Sequence, residues 1–366
     1  MRLLVVSPDL RLMGGVAETV KLLLRELEGR AEVTSAVLGR RLNQNGIARL
    51  LRVFADLFSF FKLLWSRRFD VIHMNPSLNF ISFMKEGMLL LLFYLFGYSG
   101  RVLIFIHGWD EHFFARIAVN RFYSTLMSVV LNRAGLVLVL AEDFRCRLDS
   151  IGVDICNVKV ISTMVDLDKI PISRSCESNE KSLLFLSRMI PGKGVYELLD
   201  AFSLLCDKYD SLRLIMAGDG PEKQRLMEIA ASRGLSNVVF PGYIQGDEKR
   251  RTFEESCIYL LPTSREGCPV SLLEAMASGL VPVVTDAGGI KDVIKPGETV
   301  ILLEEISAKA IAGAVEGLLA DPIKLQKVAK AARSYAAANF GSRQITDRII
   351  GFYEHLDVTL KKGKVI

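Results

Sequence analysis

The chain has 366 residues, half of them hydrophobic and 24% charged, more than one ordinary core holds, which predicts two domains. Its net charge is +5, and the excess lies early: residues 1–175 carry 22 Lys/Arg against 16 Asp/Glu. No dense Lys/Arg run or interleaved aromatic stripe occurs, which argues against nucleic acid and leaves an anionic membrane surface or an acidic ligand.

The first apolar run, LLVVSP, predicts a strand that starts almost at the N-terminus, so no secretory signal is expected. A glycine turn at Gly14-Gly15 and a helix follow, then the strand EVTSAVL. In residues 47–65, Ile47, Leu50, Leu51, Phe54, Leu57, Phe58, Phe61, Leu64 and Trp65 recur at helical spacing. Arg49, Arg52, Asp56 and Lys62 fall toward the other side. This helix either faces the core or lies on an anionic bilayer. The strand FDVIHM is next. Residues 87–100 are uncharged and apolar but shorter than the ~20 residues a spanning helix needs, so they predict a buried helix before the strand RVLIFIH. GLVLVLA and NVKVIST complete the first set of strands.

These strands are apolar throughout and alternate with helices, which predicts a parallel sheet covered on both faces over residues 1–165. Residues 166–180, with Pro171 and a polar cluster, break the rhythm and predict a linker. The alternation restarts over residues 181–341, predicting a second doubly wound domain, and residues 342–366 predict a further helix and tail. Six cysteines (Cys146, Cys156, Cys176, Cys206, Cys257, Cys268) form no CxxC pair and only four histidines accompany them. That pattern argues against a disulfide framework or structural zinc and suits a reducing, cytoplasmic compartment.

In doubly wound sheets, ligands bind beyond the carboxyl ends of the strands, and the distinctive residues fall there. Gly14-Gly15 offers close backbone approach and a helix N-terminus, though GxGxxG is absent. His107-Gly108 ends a strand, with Asp110 a weaker candidate. Arg188 and Lys193 share one Gly/Pro-rich turn suited to a diphosphate, although it is not a Walker A loop. The turn from Gly218 to Glu222 reads as structural. The stretch from Glu266 to Gly279 places Pro269 at an expected first helical position, leaving the amides of Val270 and Ser271 as an anion seat. Glu266 before that helix and Glu274 within it are carboxylates suited to sugar and ribose hydroxyls.

Together these motifs resemble glycosyltransferase family 4, a group of retaining, metal-independent sugar transferases with the GT-B fold. The residues that carry the resemblance are Gly14-Gly15, His107-Gly108, Arg188 with Lys193-Gly194, Gly218 to Glu222, Val239 to Tyr243, and Glu266 with Glu274, in this order along most of the chain. The sequence departs from the family pattern at Ser187, Thr163-Met164 and Asp292. The resemblance implies two Rossmann-like domains facing a cleft, with a last helix returning to the first. It implies that the Gly15 amide, Arg188, Lys193 and the amides near Val270 and Ser271 hold the diphosphate. Glu266 would contact the donor sugar, Glu274 the ribose, the backbone near Tyr243 the base, and His107 the reacting centre. The implied partners are a nucleotide-sugar donor, UDP by family frequency, and a glycan or lipid-linked acceptor of cell-surface polysaccharide synthesis. No metal or other cofactor is implied, and peripheral attachment to the inner membrane face is compatible. The rival readings are a GT-B sugar-nucleotide epimerase, a nicotinamide-dependent oxidoreductase, which the missing GxGxxG disfavours, and a non-catalytic nucleotide-sugar-binding protein.

Overall fold

The uninterrupted apolar runs become strands with both faces covered: Val71–Met74, Val102–Ile106 and Leu136–Val139 are buried at every position. The computed structural model describes the backbone of residues 1–11, 14–38, 46–173 and 181–362, with side chains over the same residues except 46–51 and 358–362. The chain divides into two units, Met1–Met164 with the segment from Ser342, and Val165–Gly341.

The first unit is built on a six-stranded parallel sheet in the spatial order Glu32–Val37, Arg2–Ser7, Val71–Met74, Val102–Ile106, Leu136–Val139, Val158–Val160. Strand order reverses beside Arg2–Ser7, so the crevice for a ligand opens where the first and third strands end. The second unit has the order Val238–Gly242, Arg213–Ala217, Ser182–Leu186, Ile258–Leu261, Val281–Thr285, Ile301–Leu303, also all parallel. This is the classic dinucleotide-fold order, and its switch point lies between Ser182–Leu186 and Ile258–Leu261. Residues 166–173, which the sequence assigns to a linker, include a buried Pro171 and a Ser173 amide that donates to the Ser278 carbonyl at 2.9 Å. The rest of that linker, 174–180 with Cys176, lies outside the described residues.

The last helix, Ser342–Lys362, belongs to the first unit. Arg25 donates to Ser342 Oγ at 3.2 Å, Arg30 pairs with Asp347 at 2.6 Å, and the Tyr353 hydroxyl lies 2.5 Å from His73 Nδ1. His73 and Tyr353 are both fully buried, so this contact ties the C-terminal helix to the sheet centre. Burial lowers the His73 pKa to about 3, with Asn75 weakly opposing it. The unfolded chain therefore binds a proton below about pH 6.5 that the folded chain refuses. Stability held above that pH is expected to fall by about 1.4 kcal/mol per pH unit from roughly pH 6 toward 3. Denaturant melts of wild type and His73→Phe at pH 7 and pH 5 check this: the mutant should show the smaller acid loss.

Two sequence readings need correction. Asp56 does not join the exposed charges of its helix, Gly46–Ser66; it is buried, as are Phe60 and Leu64. Phe54, Phe58, Phe61 and Trp65 are exposed instead. The apolar arc is wider than the face the unit can cover, so one edge of it meets the core and the other meets solvent. The side chains of Ile47, Arg49, Leu50 and Leu51 lie outside the described residues. Likewise, the apolar helix Phe80–Leu95 is not wholly buried: Leu89, Leu90 and Phe93 face inward, while Leu91 and Leu95 are exposed. Among the described residues, no helix is long and apolar enough to cross a membrane.

Candidate functional site

The second unit gathers its chemistry at the switch point. After the strand Ser182–Leu186 the chain makes the turn that carries Arg188 and Lys193, then enters the helix Val195–Cys206. Gly194 sits at φ 63°, and a Cβ there would stand 2.1 Å from the Pro262 carbonyl oxygen. Only glycine lets this turn press against the loop that follows the neighbouring strand, Ile258–Leu261. Ser264 locks the two together, its amide and hydroxyl donating to the Gly192 carbonyl at 2.9 and 3.1 Å.

That contact delivers the Lys193 ammonium to the second loop. Its side chain is only 9% exposed; Nζ donates to the Arg265 carbonyl at 3.1 Å and forms an ion pair with the Glu266 carboxylate. A backbone glycine supports Glu266 from behind: a Cβ on Gly288 would lie 1.9 Å from the Glu266 carbonyl oxygen, which accepts the Gly289 amide at 3.2 Å. Arg188 is exposed, and its guanidinium has no ion-pair or hydrogen-bond partner among the described residues.

Past Glu266 the helix Val270–Ser278 begins. Pro269 is not its first helical residue but its N-cap, at φ −70° and ψ 115°, and no side chain caps the helix. The one-residue shift lies in ψ: it is extended rather than helical, while the proline carbonyl already accepts the Leu272 and Leu273 amides at 3.0 and 3.4 Å, the half-in geometry of an N-cap. The Val270 and Ser271 amides carry no partner among the described residues, which leaves the positive helix end open to an anion. The Ser271 hydroxyl is 2.7 Å from the buried Tyr259 hydroxyl, and this holds the helix start against the sheet. Glu274, one turn further, pairs with Lys249 at 2.7 Å. The turn from Gly218 to Glu222 buttresses this side: Met189 donates to the Asp219 carbonyl at 2.9 Å. Tyr243 is exposed and follows the edge strand Val238–Gly242.

Gly14, Gly15 and His107 belong to the first unit. Gly14 is the N-cap of the helix Gly15–Leu27, which has no side-chain cap. His107 follows the strand Val102–Ile106 and is half-buried, its ring 4.0 Å from that of Phe105. Its Nε2 is 2.9 Å from Asn75 Oδ1, while Asn75 Nδ2 donates to the Val6 carbonyl at 3.1 Å. With the Asn75 amide so oriented, Oδ1 accepts and His107 Nε2 carries the proton. Nδ1 is then a bare lone pair, able to accept a hydrogen bond. Burial, with nearby His73 adding to it, lowers the His107 pKa to about 3, so the ring is neutral at pH 7. Asp110 caps the helix Glu111–Val119, accepting the Phe113 amide at 3.0 Å, which is a structural duty.

Residues 13–169 match the family described as Glycosyltransferase Family 4, and residues 168–335 match Glycosyl transferases group 1. The chain belongs to glycosyltransferase family 4. A putative colanic acid biosynthesis glycosyltransferase of Salmonella typhimurium is 26% identical to this family 4 chain over 68% of it and 63% of the relative. The chain spans less than two thirds of the length of the curated relatives it matches. Sucrose-phosphate synthase from Thermosynechococcus elongatus has the same fold, with TM-score 0.78 at 18% identity, over 98% of this chain and 100% of that one. So does Anabaena HepE, solved in complex with UDP and glucose: TM-score 0.75, 17% identity, 96% and 98% coverage. The fold is GT-B.

Three residues of this family 4 chain were not singled out from sequence. Asn75 directly follows the third strand and sets the His107 tautomer. Lys249 pairs with Glu274, and Tyr259 braces Ser271. Asn75 alone carried a signal, being a polar residue at the end of a strand beside the first switch point.

Proposed function

We propose that this chain is a retaining glycosyltransferase that takes a sugar from a nucleoside diphosphate, with UDP the favoured base, and passes it to a glycan or lipid-linked acceptor of cell-surface polysaccharide synthesis. The observation that carries this reading is the Lys193 ammonium, fixed beside Glu266 at the loop that leads to the uncapped helix start at Val270 and Ser271. As the glycosidic bond to phosphate breaks, negative charge grows on the leaving diphosphate. A preorganised ammonium and aligned amides stabilise that charge without moving. The free guanidinium of Arg188 can clamp the same phosphates bidentately. With these cations in place the reaction needs no divalent ion, and a chelator should leave turnover unchanged. Glu266 accepts hydrogen bonds from sugar hydroxyls and Glu274 from the ribose. Tyr243 supplies backbone toward the base. The Gly15 amide and neutral His107 keep the roles that the family resemblance implies. The colanic acid relative supports the polysaccharide context and the UDP in HepE the choice of base.

A thermal-shift screen against UDP, GDP and ADP sugars tests the reading, because a ligand of the native state raises its melting temperature. One base should stand out; a flat response to all three would remove the proposal. Glu274→Ala should then weaken the chosen nucleotide roughly tenfold to a hundredfold, the loss of a charge-assisted hydrogen bond. Isothermal titration reads this, with the free nucleobase as a control that should not change.

A further inference from the structure

The first unit holds an apolar cavity of about 200 Å³ that the transfer reaction above does not use. It lies between the helices Phe80–Leu95 and Arg121–Asn132 and reaches inward to Met74, Pro76 and Ile106 at the strand ends. Its walls are mostly leucine, methionine and isoleucine, with Ser77 and Ser82 the hydroxyl residues and Glu86 the one acidic residue. Burial pushes Glu86 up to about 7, Lys85 at 3.2 Å opposing, so a neutral carboxylic acid is accessible to it near physiological pH. A lining this apolar favours hydrocarbon over water.

Three residues of the wall are also exposed: Met84 at 51%, Leu91 at 47% and Leu126 at 40%. The mouth therefore opens onto the outer surface, and that surface is itself apolar. Phe80, Ile81 and Leu95 flank it on one helix, and Phe122 and Val129 on the other. Helix Gly46–Ser66 extends the patch, since exposed Phe61 meets Phe96 edge-on at 5.4 Å and stacks on Trp65, which is 78% exposed. A patch of this kind on one unit marks an interaction site.

The charge around the patch identifies the partner. Lys62, whose ammonium lies 4.6 Å over the Phe58 ring, Arg67, Arg68, Arg116 and Arg121 are exposed on or beside these helices. The neighbouring carboxylates are engaged: Asp56 is buried, Glu86 lines the cavity, Glu111 pairs with Arg147, and Asp110 caps an amide. Exposed aromatics ringed by cations fit an anionic bilayer, each cation near its surface adding about 1 kcal/mol.

We propose that this face rests on an anionic membrane and that the cavity takes one hydrocarbon tail of a lipid from it. A tail so held would bring its lipid to the unit that carries His107, which deepens the lipid-linked choice among acceptors and rests on the transferase reading.

Gly87 lines the cavity on a helix, and a Cβ added there meets no atom within 4 Å. Gly87→Leu therefore fills the space without straining the fold. The test uses the full-length protein with a dansyl-labelled long-chain fatty acid, and vesicles of phosphatidylcholine with or without phosphatidylglycerol. Wild type should bind the probe saturably and co-sediment with the anionic vesicles only. Gly87→Leu should weaken the probe roughly tenfold or more, as expected for about two displaced methylenes, with its melting temperature not lowered. Phe58→Ser/Trp65→Ser should lose vesicle binding and keep the probe. A probe that wild type does not bind saturably, or that Gly87→Leu binds equally well, would overturn the cavity assignment. Equal sedimentation with both vesicle types would overturn the membrane face. Nucleoside diphosphate titration of the same proteins should be unchanged, so loss of the lipid site and failure of the transferase reading are told apart.

Discussion

Lys193→Ala is expected to lower turnover by roughly 10²–10³-fold or more, the effect of removing one preorganised group that meets developing negative charge. Two effects add. The ammonium that neutralises the leaving diphosphate is gone, and the Glu266 carboxylate it paired with is left facing the phosphates. Lys193→Arg should recover little, because the side chain is only 9% exposed and a planar guanidinium is bulkier than the compact ammonium it would replace. Breaking a fully buried pair costs about 3–5 kcal/mol of stability. Glu266 retains some solvent, so the cost here should fall below that range and leave a folded protein, which a melt measured beside the assay establishes. Turnover within tenfold of wild type would show that the ammonium does not serve the phosphate.

Glu266→Gln should split binding from chemistry. The amide keeps the shape but removes the negative charge, so affinity for the nucleoside diphosphate should hold or tighten. Turnover should fall by roughly tenfold to a hundredfold, the worth of a charge-assisted hydrogen bond to the sugar that strengthens as the bond breaks. Because Lys193 and Glu266 touch, the double variant should lose less than the two single losses combined. Full additivity would mean that the two side chains act independently. Equal losses in affinity and turnover would make Glu266 a simple binding group.

Much of this arrangement is legible in the sequence because parallel sheets write it there plainly. Runs such as VLIFI and SLLFL have no polar alternation, so they read as strands covered on both faces, and the glycine, proline and charged residues after them mark the ends where ligands sit. What the sequence conceals is pairing across long separations. His73 meets Tyr353 across most of the chain, and Asn75 fixes the His107 tautomer from a different strand. Lys249 reaches Glu274 from a helix whose pattern is merely polar. Helix faces are also hidden where apolar residues exceed what the core can cover. The arc around Phe54, Phe58 and Trp65 has the spacing of a buried helix, yet only the packed unit decides which edge is turned outward. Pro269 shows the limit at helix ends: proline's fixed φ suits both the N-cap and the position after it, and only the extended ψ of 115° distinguishes them.

The most direct measurement is the ratio of affinities for a nucleoside diphosphate and its parent nucleoside, by titration calorimetry, in wild type and in Lys193→Ala. If the ammonium and the open helix start grip the phosphates, wild type should favour the diphosphate by a hundredfold or more, about 2.7 kcal/mol, and the variant should lose most of that preference while binding the nucleoside as before. The same ratio in both proteins would mean that the phosphates are held elsewhere.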